Sequence, residues 1–472
     1  MANDSLLLSD QLKSDPRLAE AKRLILETVA DHQKTMQSVR PPRTELKQSY
    51  QAMLEKFGSL RNGSLFFPYL ASGIGNGPFV ELADGSVKLD MITGIGVHGY
   101  GHSHPLLVEA AIDTAVADTV MQGNLQQNTE SYELCDLLVS LANETGGEFK
   151  HCFLTTSGAM ANENSLKIAF QKNHPANRVI AFSHCFAGRT LALAQVTDKA
   201  KYRVGLPDTI AVDYLPFFKH DDPQRSTEIA VSHLKYLLDR HPGKYAALWM
   251  ELIQGEGGYY PGDVNFFKAL IEVAKEANVC TIADEVQTFC RTTRPYAFQH
   301  FGLDKLVDVV TIGKISQVCA TLFTDEYKFQ PGLISQTFTG STMAINSALA
   351  IVNGLVKQGN FGEGGRNESL HDYFVKGIQK VGEKYPGSIA GPHGLGGMVA
   401  LTPFDGTPEV ASEMAKRLFD AGLMSFMAGG SPARLRFLMP IGCVTKDHLD
   451  LACQILESVV GEMADVRKEL TV

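Results

Sequence analysis

Short apolar runs alternate with amphipathic segments through the middle of the chain. Residues 246–253 (AALWMELI), 279–283 (VCTIA) and 307–312 (VDVVTI) are such runs, and residues 264–277 have the periodicity of an amphipathic helix. Strands that are apolar on both faces are typical of parallel sheets covered by helices. The pattern therefore predicts the α/β class, with a large domain built on a mostly parallel sheet over residues 104–350.

The two ends of the chain show different patterns. Residues 1–50 are polar and helix-prone, which predicts an N-terminal helical extension. Two strand-like runs flank Asp84-Gly85 and predict a β-hairpin in residues 51–103, the N-terminal part of a smaller domain. Residues 351–472 mix helical segments with the strand-like texts GLGGMVAL and RLRFLMP, and predict the rest of this smaller α+β domain.

Composition and charge indicate which classes of binding partner to expect. The formal net charge is −9 and no long basic stretch occurs, so we expect no nucleic-acid partner. The chain has no run of about 18 apolar residues and no secretory signal, so we expect no membrane partner and a cytoplasmic location. The eight cysteines form no CxxC pair, which indicates reduced thiols. His98, His102 and His104 lack a local carboxylate or cysteine, so we predict no metal site.

Chemically reactive side chains follow the three apolar runs. Glu256 lies in a glycine-rich turn after the first run, Asp284 directly follows the second, and Lys314 follows the third. Ligands of open parallel sheets bind beyond the carboxyl ends of the strands. We therefore expect these three side chains to meet at one edge of the sheet.

This set of residues meets the chemical needs of pyridoxal phosphate (PLP). A shielded lysine amine forms a Schiff base with this cofactor, and a carboxylate keeps its pyridine nitrogen protonated. We predict Lys314 and Asp284 for these two roles. A helix N-terminus binds a phosphate group through backbone N–H groups. Residues 155–170 follow an apolar run, turn at Ser157-Gly158 and begin a helix, which predicts the phosphate site.

Eight motifs between about Gly77 and residue 460 support a more specific interpretation. They are DMITGIGVHGYGHSHP, TTSGAMANENSLKIAF, FAGRT, ELIQGEGG, IADEVQT, VVTIGK, TFTGSTMA and LRFLMPIG. In this order they resemble the class III (ω-) aminotransferases, which include 4-aminobutyrate, acetylornithine, ornithine and lysine 6-aminotransferases. The resemblance implies the PLP-dependent transferase fold type I and pyridoxal 5'-phosphate as the cofactor. It also implies ping-pong transfer of an amino group from an ω-amino acid to 2-oxoglutarate.

The resemblance assigns roles at the cofactor. Lys314 resembles the Schiff-base lysine that also moves the proton, and Asp284 resembles the partner of the pyridine nitrogen. The other residues that it implies are Ser157, Gly158 and Ala159 at the phosphate, Phe186 and Val286 on the ring, Gln287 near the phenolic oxygen, and Thr337 at the phosphate of a partner subunit. The role of Thr337 implies a homodimer with composite active sites.

Four residues resemble substrate-binding positions of the family. Arg189 resembles the arginine that binds the carboxylate far from the reacting amine, and Arg436 the arginine that binds the α-carboxylate of glutamate and 2-oxoglutarate. Glu256 resembles the glutamate that masks this second arginine while the ω-amino substrate is bound. Ile95 stands where ornithine enzymes carry tyrosine. This disfavours free ornithine, and 4-aminobutyrate, acetylornithine and lysine stay open as donors.

The chain also departs from the family pattern. The departures are Met160, Ala187, Leu252, Phe289 and Thr293. None removes a predicted catalytic group, so they bear on substrate identity. The text GKISQVCA after the lysine resembles lysine 6-aminotransferases.

Two alternative functions stay open at this point. The first is another class III reaction, that of an aminomutase, a racemase or an amine–pyruvate transaminase. Loss of Glu256 and Arg436 would have favoured it, and both residues are present. The second is a catalytically silent binding protein on the same fold, which would have no need of Lys314 and Asp284.

Overall fold

The computed structural model describes residues 7–469. Its helices are α1 (Leu8–Lys13), α2 (Pro16–Gln33), α3 (Lys47–Leu60), α4 (Thr93–Gly96), α5 (Pro105–Thr114), α6 (Thr129–Asn143), α7 (Gly158–Lys172), α8 (Leu193–Val196), α9 (Pro223–Arg240), α10 (Gly255–Gly258), α11 (Val264–Glu276), α12 (Ala297–His300), α13 (Thr342–Lys357), α14 (Arg366–Lys384), α15 (Pro408–Ala421) and α16 (Lys446–Glu469). Single turns of 3-10 helix lie at Thr44–Leu46, Ala200–Tyr202, Lys314–Ser316 and Asp325–Tyr327.

The strands are shorter and more numerous. They are β1 (Ala71–Asn76), β2 (Phe79–Leu82), β3 (Val87–Asp90), β4 (Val120–Met121), β5 (Phe149–Thr155), β6 (Arg178–Phe182), β7 (Ala211–Leu215), β8 (Tyr245–Met250), β9 (Ile253–Gln254), β10 (Tyr260–Pro261), β11 (Cys280–Glu285), β12 (Val309–Ile312), β13 (Cys319–Thr324), β14 (Gly340–Ser341), β15 (Ile389–Leu395), β16 (Met398–Pro403), β17 (Leu423–Met424), β18 (Phe426–Gly429) and β19 (Ala433–Leu438).

Seven strands form the central sheet, in the order β5-β13-β12-β11-β8-β6-β7. All neighbouring pairs are parallel except the two that β13 makes with β12 and β5. Alternate side chains of β8 enter two different hydrophobic clusters, with Leu248 and Met250 in one and Trp249 in the other. Both faces of the strand are therefore buried, and the predicted α/β fold with its mostly parallel sheet is confirmed.

The smaller sheets join the two ends of the chain. The predicted hairpin is present, because β2 pairs with β3 in an antiparallel ladder around Gly85, whose φ of 76° suits glycine. The C-terminal strand β17 then pairs with β3. Strands β15, β16, β19 and β18 form a second four-stranded sheet. The division of the chain at residues 50, 103 and 350 stays a prediction.

The N-terminal extension is helical from Leu8 onward. Pro16 begins α2, whose first turn is capped by Asp15, and Lys22 of this helix pairs with Asp113 of α5 at 2.6 Å. Residues 1–6 of the predicted extension lie outside the described residues. Within the described range, no helix has both the length and the apolar character that a membrane crossing requires.

The parallel arrangement brings the reactive strand ends together. In the ladder between β11 and β12, Asp284 is opposite Thr311, and β8 ends one strand further along the sheet. Helix α7 begins at the same edge and packs against β8, β11 and β12. Three neighbouring strands and one helix N-terminus thus meet at one edge of the sheet.

Candidate active site

Lys314 lies just beyond the end of β12, in a left-handed backbone conformation with φ 56°. The strand approaches its neighbour closely there, since a Cβ on Gly313 would lie 2.7 Å from Sγ of Cys319. Burial lowers the pKa of the Lys314 amine to about 8. The charge of Glu256 opposes this shift, and the charges of Arg436 and Arg291 add to it. A lysine in this environment is deprotonated far more readily than one in water.

Asp284 is buried near the end of β11. Its Oδ1 accepts a hydrogen bond from the Val286 N–H at 3.0 Å, and its Oδ2 accepts one from Asn162 Nδ2 at 2.8 Å. Burial raises the pKa of this carboxyl to about 6, although both hydrogen bonds and the charge of Lys314 act in the opposite direction. Each oxygen keeps a lone pair that can accept a further proton donor.

The N-terminus of α7 faces these groups. Ser157 caps the helix by accepting a hydrogen bond from the Met160 N–H at 3.1 Å. The first N–H groups of a helix have no helical acceptor, and here they belong to Gly158 and Ala159. A Cβ on Gly158 would lie 2.8 Å from Cγ1 of Val286, so glycine lets that side chain approach the helix. Predicted phosphate-binding and ring-contacting residues are therefore neighbours.

The FAGRT loop and the QGEGG turn are held by one buried acid, Glu251. Its two carboxyl oxygens accept hydrogen bonds from the Phe186 N–H at 2.8 Å and the Gly255 N–H at 3.0 Å. Burial, and to a lesser extent the charge of Asp284, raise the pKa of Glu251 to about 8. This acid was not among the predicted site residues.

Arg189 lies at the exposed side of the same loop. Its guanidinium carbon is 4.0 Å from the ring centroid of Tyr202, and that ring is 6.4 Å from the ring of Phe186. Tyr202 therefore stacks on the predicted arginine and lies near the predicted stacking ring. Arg189 is exposed, so its guanidinium group can receive a carboxylate.

The predicted pair of Glu256 and Arg436 is in direct contact. Oε1 of Glu256 lies 2.5 Å from Nη2 of Arg436, and Nη1 of the same arginine donates to the Gly255 carbonyl at 3.2 Å. Arg436 is fully buried. Burial raises the pKa of Glu256, but the charges of Arg436 and Lys314 outweigh that effect and the net pKa is lowered. The carboxylate is thus charged while it contacts the arginine.

Ile95 lies in the α4 turn, where the backbone is left-handed from Gly94 to Gly96. Two contacts fix this turn. Thr93 Oγ1 donates to the Leu438 carbonyl at 2.9 Å, and Nη2 of the fully buried Arg291 donates to the Gly96 carbonyl at 2.7 Å. The turn is therefore attached to β19, the strand that carries Arg436.

Gln287 is buried, whereas Thr337 is exposed. The side chain of Gln287 packs so closely against the QGEGG turn that a Cβ on Gly255 would lie 2.6 Å from its Nε2. Thr337 is exposed and precedes Phe338, whose ring is also exposed. A role of Thr337 at the phosphate of another subunit stays a prediction.

The histidine-rich stretch has a different role. His102 Nε2 lies 2.9 Å from Oδ2 of Asp90, and Oδ1 of this aspartate accepts hydrogen bonds from the Ile92 and Thr93 N–H groups. The pair therefore supports the turn that carries Ile95. Across the described range, no group of three or more histidine, cysteine or acidic side chains is placed to hold a metal ion.

Comparison with known proteins decides the family. The profile of the family described as "Aminotransferase class-III" matches residues 67–460, which is most of the chain. The chain belongs to the class III aminotransferases. Enzymes of this family depend on pyridoxal phosphate, so this chain is a PLP-dependent aminotransferase.

Individual relatives of this class III aminotransferase agree with the family. Acetylornithine aminotransferase from Caldanaerobacter subterraneus subsp. tengcongensis is 29% identical over 402 residues, which cover 82% of this chain and 94% of that protein. The acetylornithine aminotransferase of Methanocaldococcus jannaschii is also 29% identical, over 82% of this chain and 93% of its own length.

Solved structures share the fold at lower identity. Lysine aminotransferase from M. tuberculosis superposes with a TM-score of 0.75 at 21% identity, over 86% of this chain and 98% of that one. The taurine:2-oxoglutarate aminotransferase of Bifidobacterium kashiwanohense, in complex with PLP and glutamate, gives a TM-score of 0.76 at 18% identity, over 87% and 98%. These similarities confirm fold type I for this class III aminotransferase.

The residues of this class III aminotransferase fit the cofactor. Asp284 offers a buried acceptor for the ring nitrogen, α7 offers N–H donors for the phosphate, and Lys314 offers an amine with a lowered pKa. Buried Gln287 Oε1 has no hydrogen-bond partner within the described range. A polar substituent on a bound ring would give this amide oxygen the hydrogen-bond partner that it lacks.

Asn162 is a site residue of this aminotransferase that the sequence did not indicate. Besides its bond to Asp284, its Nδ2 donates to the Ala187 carbonyl at 2.7 Å, and its Oδ1 accepts from Thr311 Oγ1 at 2.7 Å. One side chain therefore links α7, the FAGRT loop and two strands. In the sequence, Asn162 is a single polar residue on the inner face of a predicted helix, and it belongs to no catalytic motif.

The departures from the family pattern are accommodated by packing. Phe289 is fully buried, with its ring 5.0 Å from that of Tyr296. The segment that follows is fixed by Asn367, whose Nδ2 donates to the carbonyls of Cys290 and Thr292. These hydrogen bonds hold the segment near Thr293 in place around Arg291, where the family pattern has a glycine-rich loop.

The pKa of Lys314 leads to a prediction about cofactor uptake. A lysine attacks a carbonyl group only in its neutral form. Uptake of PLP by the apoenzyme should therefore accelerate as the pH rises through about 8. Stopped-flow absorbance at a series of pH values measures this rate. A rate that rises only near pH 10.5, the ordinary lysine value, would contradict the assigned environment.

Proposed function

We propose that this enzyme moves an amino group from an ω-amino acid to 2-oxoglutarate by a ping-pong mechanism. The donor is of the 4-aminobutyrate, acetylornithine or lysine type. The observation that carries the proposal is the 2.5 Å contact between Glu256 and Arg436 beside Lys314. A buried arginine masked by a movable carboxylate is suited to a site that must accept two different substrates in turn. Similarity to acetylornithine aminotransferases adds support.

Each chemical role in this reaction is carried out by a group of this chain. The bound cofactor supplies an electron sink, and Asp284 maintains it by holding the ring nitrogen protonated. Nζ of Lys314 would take the proton from the carbon that bears the substrate amine and deliver it to the carbonyl carbon of the bound cofactor. Its lowered pKa allows both steps near neutral pH, because the amine can gain or lose a proton at similar free-energy cost.

Glu256 determines which substrate carboxylate is bound. While it contacts Arg436, the exposed Arg189 is left to bind a carboxylate, so the donor presents its far amine to Lys314. When Glu256 moves away, Arg436 binds the α-carboxylate of 2-oxoglutarate through two charge-assisted hydrogen bonds. The side chain of Glu256 is 18% exposed, whereas that of Arg436 is fully buried, so the glutamate is the partner that can move.

We also propose that the enzyme is a cytoplasmic homodimer. Strand β4 pairs with β14, which joins two segments that carry exposed apolar side chains. These are Val120, Leu125, Tyr132, Phe338 and Met343. Exposed apolar side chains on paired segments are typical of a subunit interface. Thr337 directly precedes Phe338 in one of these segments, which supports its proposed role in a composite active site. Sedimentation of the purified enzyme tests the dimer.

A panel of amino donors tests the reaction directly. We expect turnover with at least one of 4-aminobutyrate, acetylornithine and lysine when 2-oxoglutarate is the acceptor. Turnover with pyruvate alone would identify an amine–pyruvate transaminase. Conversion of a single amino acid without any acceptor would identify an aminomutase or a racemase. Either result would contradict the proposed function.

The two-substrate site leads to a prediction for its two charged residues. Glu256→Ala leaves Arg436 unmasked, so glutamate should compete better and the preference for ω-amines should fall by about tenfold, the value of one charge-assisted hydrogen bond. Arg436→Ala should spare the half-reaction with the donor and slow the half-reaction with 2-oxoglutarate. Single-turnover absorbance of the cofactor separates the two halves.

A matched control removes another ion pair of this chain. Arg417→Ala breaks the pair with Glu413 on the surface of α15 at 2.8 Å and should change neither half-reaction. If Glu256→Ala and Arg436→Ala each slowed both halves equally, the pair would be structural and the masking role would be wrong.

A further inference from the structure

A second buried arginine lies two residues before Arg436 on β19. Arg434 is 5% exposed, and its Nη1 donates to the Gly258 carbonyl at 2.7 Å. Its guanidinium carbon lies 3.7 Å from the ring centroid of Tyr260. Residues two apart on a strand point to the same face, so both arginines face the turn that carries Glu256.

The turn is held at both ends by these two arginines. Arg436 Nη1 contacts the carbonyl of Gly255, where the turn begins, and Arg434 Nη1 contacts the carbonyl of Gly258, where it ends. Glu256 lies between the two anchored carbonyls. Its side chain can therefore rotate while its backbone stays in place.

The end of the turn needs such an anchor. Gly258 has φ 121° and the next residue, Tyr259, has φ 58°, a left-handed conformation that costs free energy in a residue with a side chain. The turn packs tightly against Arg434, because a Cβ on Gly258 would lie 3.2 Å from its Cδ. A cavity of about 460 Å³ lies next to the C-terminal end of the turn and is lined by Tyr259, Tyr260 and Arg434, among other residues.

We propose that Arg434 is a positioning residue that fixes the turn so that Glu256 reaches Arg436. This inference rests on the proposed masking role of Glu256 and extends it. Arginine suits the position because its planar group stacks on Tyr260 and donates to Gly258 at the same time. Lysine offers a single point charge and loses the stacking. Without the anchor, the turn relaxes toward the cavity and Glu256 masks Arg436 less completely.

The test compares the two half-reactions in the holoenzyme of Arg434→Met, which keeps most of the side-chain volume. The preference for an ω-amino donor over glutamate should fall by about three- to tenfold, since one charge-assisted hydrogen bond is lost. Arg434→Lys should give a smaller fall. Tyr260→Leu, which removes only the stacking, should also lower the preference and serves if the arginine variants fail to fold. Arg417→Met on the exposed surface of α15 is the matched control.

A double variant separates positioning from a general structural effect. If Arg434 acts through Glu256, adding Arg434→Met to Glu256→Ala should change the preference no further. An equal slowing of both half-reactions by Arg434→Met, with or without Glu256, would overturn the proposal. A normal preference in Arg434→Met and Tyr260→Leu would also overturn it, provided that Glu256→Ala alters the preference. If Glu256→Ala itself has no effect, the masking role is wrong, and the inference is overturned with it.

Discussion

Replacing Lys314 by alanine should lower the transamination rate by about four orders of magnitude or more, because one side chain supplies both the nucleophilic amine and the proton carrier. The purified variant should also lose the absorbance band that reports cofactor attached to the wild-type lysine. The fold should persist, since the residue lies in a turn after β12 and not within the sheet. Steady-state assays and circular dichroism measure the two effects.

Lys88 provides the matched control for this variant. It too is a buried lysine with a lowered pKa caused by burial, but it lies in β3 and its Nζ donates to the Phe419 carbonyl of α15. Lys88→Met should affect stability more than the rate constant. Turnover by Lys314→Ala at more than a thousandth of the wild-type rate would show that another group moves the proton.

Replacing Asp284 by asparagine should leave the cofactor bound but lower the rate by about 10²–10³-fold, the typical effect of one lost electrostatic group at a reaction centre. A neutral amide cannot keep the ring nitrogen protonated, so the electron sink weakens. Asn162 would still be able to donate to the amide oxygen, although the hydrogen bond from the Val286 N–H would be lost because the amide nitrogen is a donor. Pre-steady-state absorbance measures the rate of the first half-reaction.

The Asp284→Asn variant should lose activity, but the melting temperature of its apoenzyme should not fall. Burial raises the pKa of Asp284 to about 6, so in the apoenzyme the charged form is disfavoured by folding. The folded apoenzyme loses stability as the pH rises from the unfolded value of 3.8 through about 6, and above that it bears the full cost. Asp284→Asn removes this cost, so the apoenzyme should melt no lower than the wild type at pH 8.

The control is Asp308→Asn, at the opposite end of the same strands. Asp308 has the same exposed fraction as Asp284, 6%, and pairs with Lys275 at 2.8 Å. Its loss should lower the melting temperature and leave the rate near that of the wild type. A near-normal rate in Asp284→Asn would instead show that Asp284 only caps the turn after β11.

The sequence predicted the sheet and the positions of the reactive groups for a physical reason. Strands buried on both faces form continuous apolar runs, and in a parallel sheet their ends meet at one edge. Glu256, Asp284 and Lys314 could therefore be grouped before any coordinates were known. The last residue of each strand was predicted less accurately. Asp284 lies inside β11 and not after it, because the buried carboxylate still pairs along the ladder opposite Thr311.

The contacts between distant segments could not be predicted from periodicity. Arg436 and Glu256 are 180 residues apart in the chain, and their pairing came from the resemblance to a family. Arg291 and Arg434 are buried arginines whose hydrogen bonds are to backbone carbonyls. Arginine is rarely buried without a carboxylate, so the sequence gives no sign of such a position. Asn162 was missed for the same reason, since its three partners come from separate elements.

The central claim, transfer of an ω-amine to 2-oxoglutarate, is tested most directly by following the nitrogen. The holoenzyme is incubated with unlabelled 2-oxoglutarate and with lysine or acetylornithine whose amine at the far end alone carries heavy nitrogen. The glutamate formed is then analysed by mass spectrometry. We predict that the label appears in glutamate, because Glu256 masks Arg436 and leaves Arg189 to orient the donor. Glutamate without label, or no glutamate with any donor of the panel, would contradict the account.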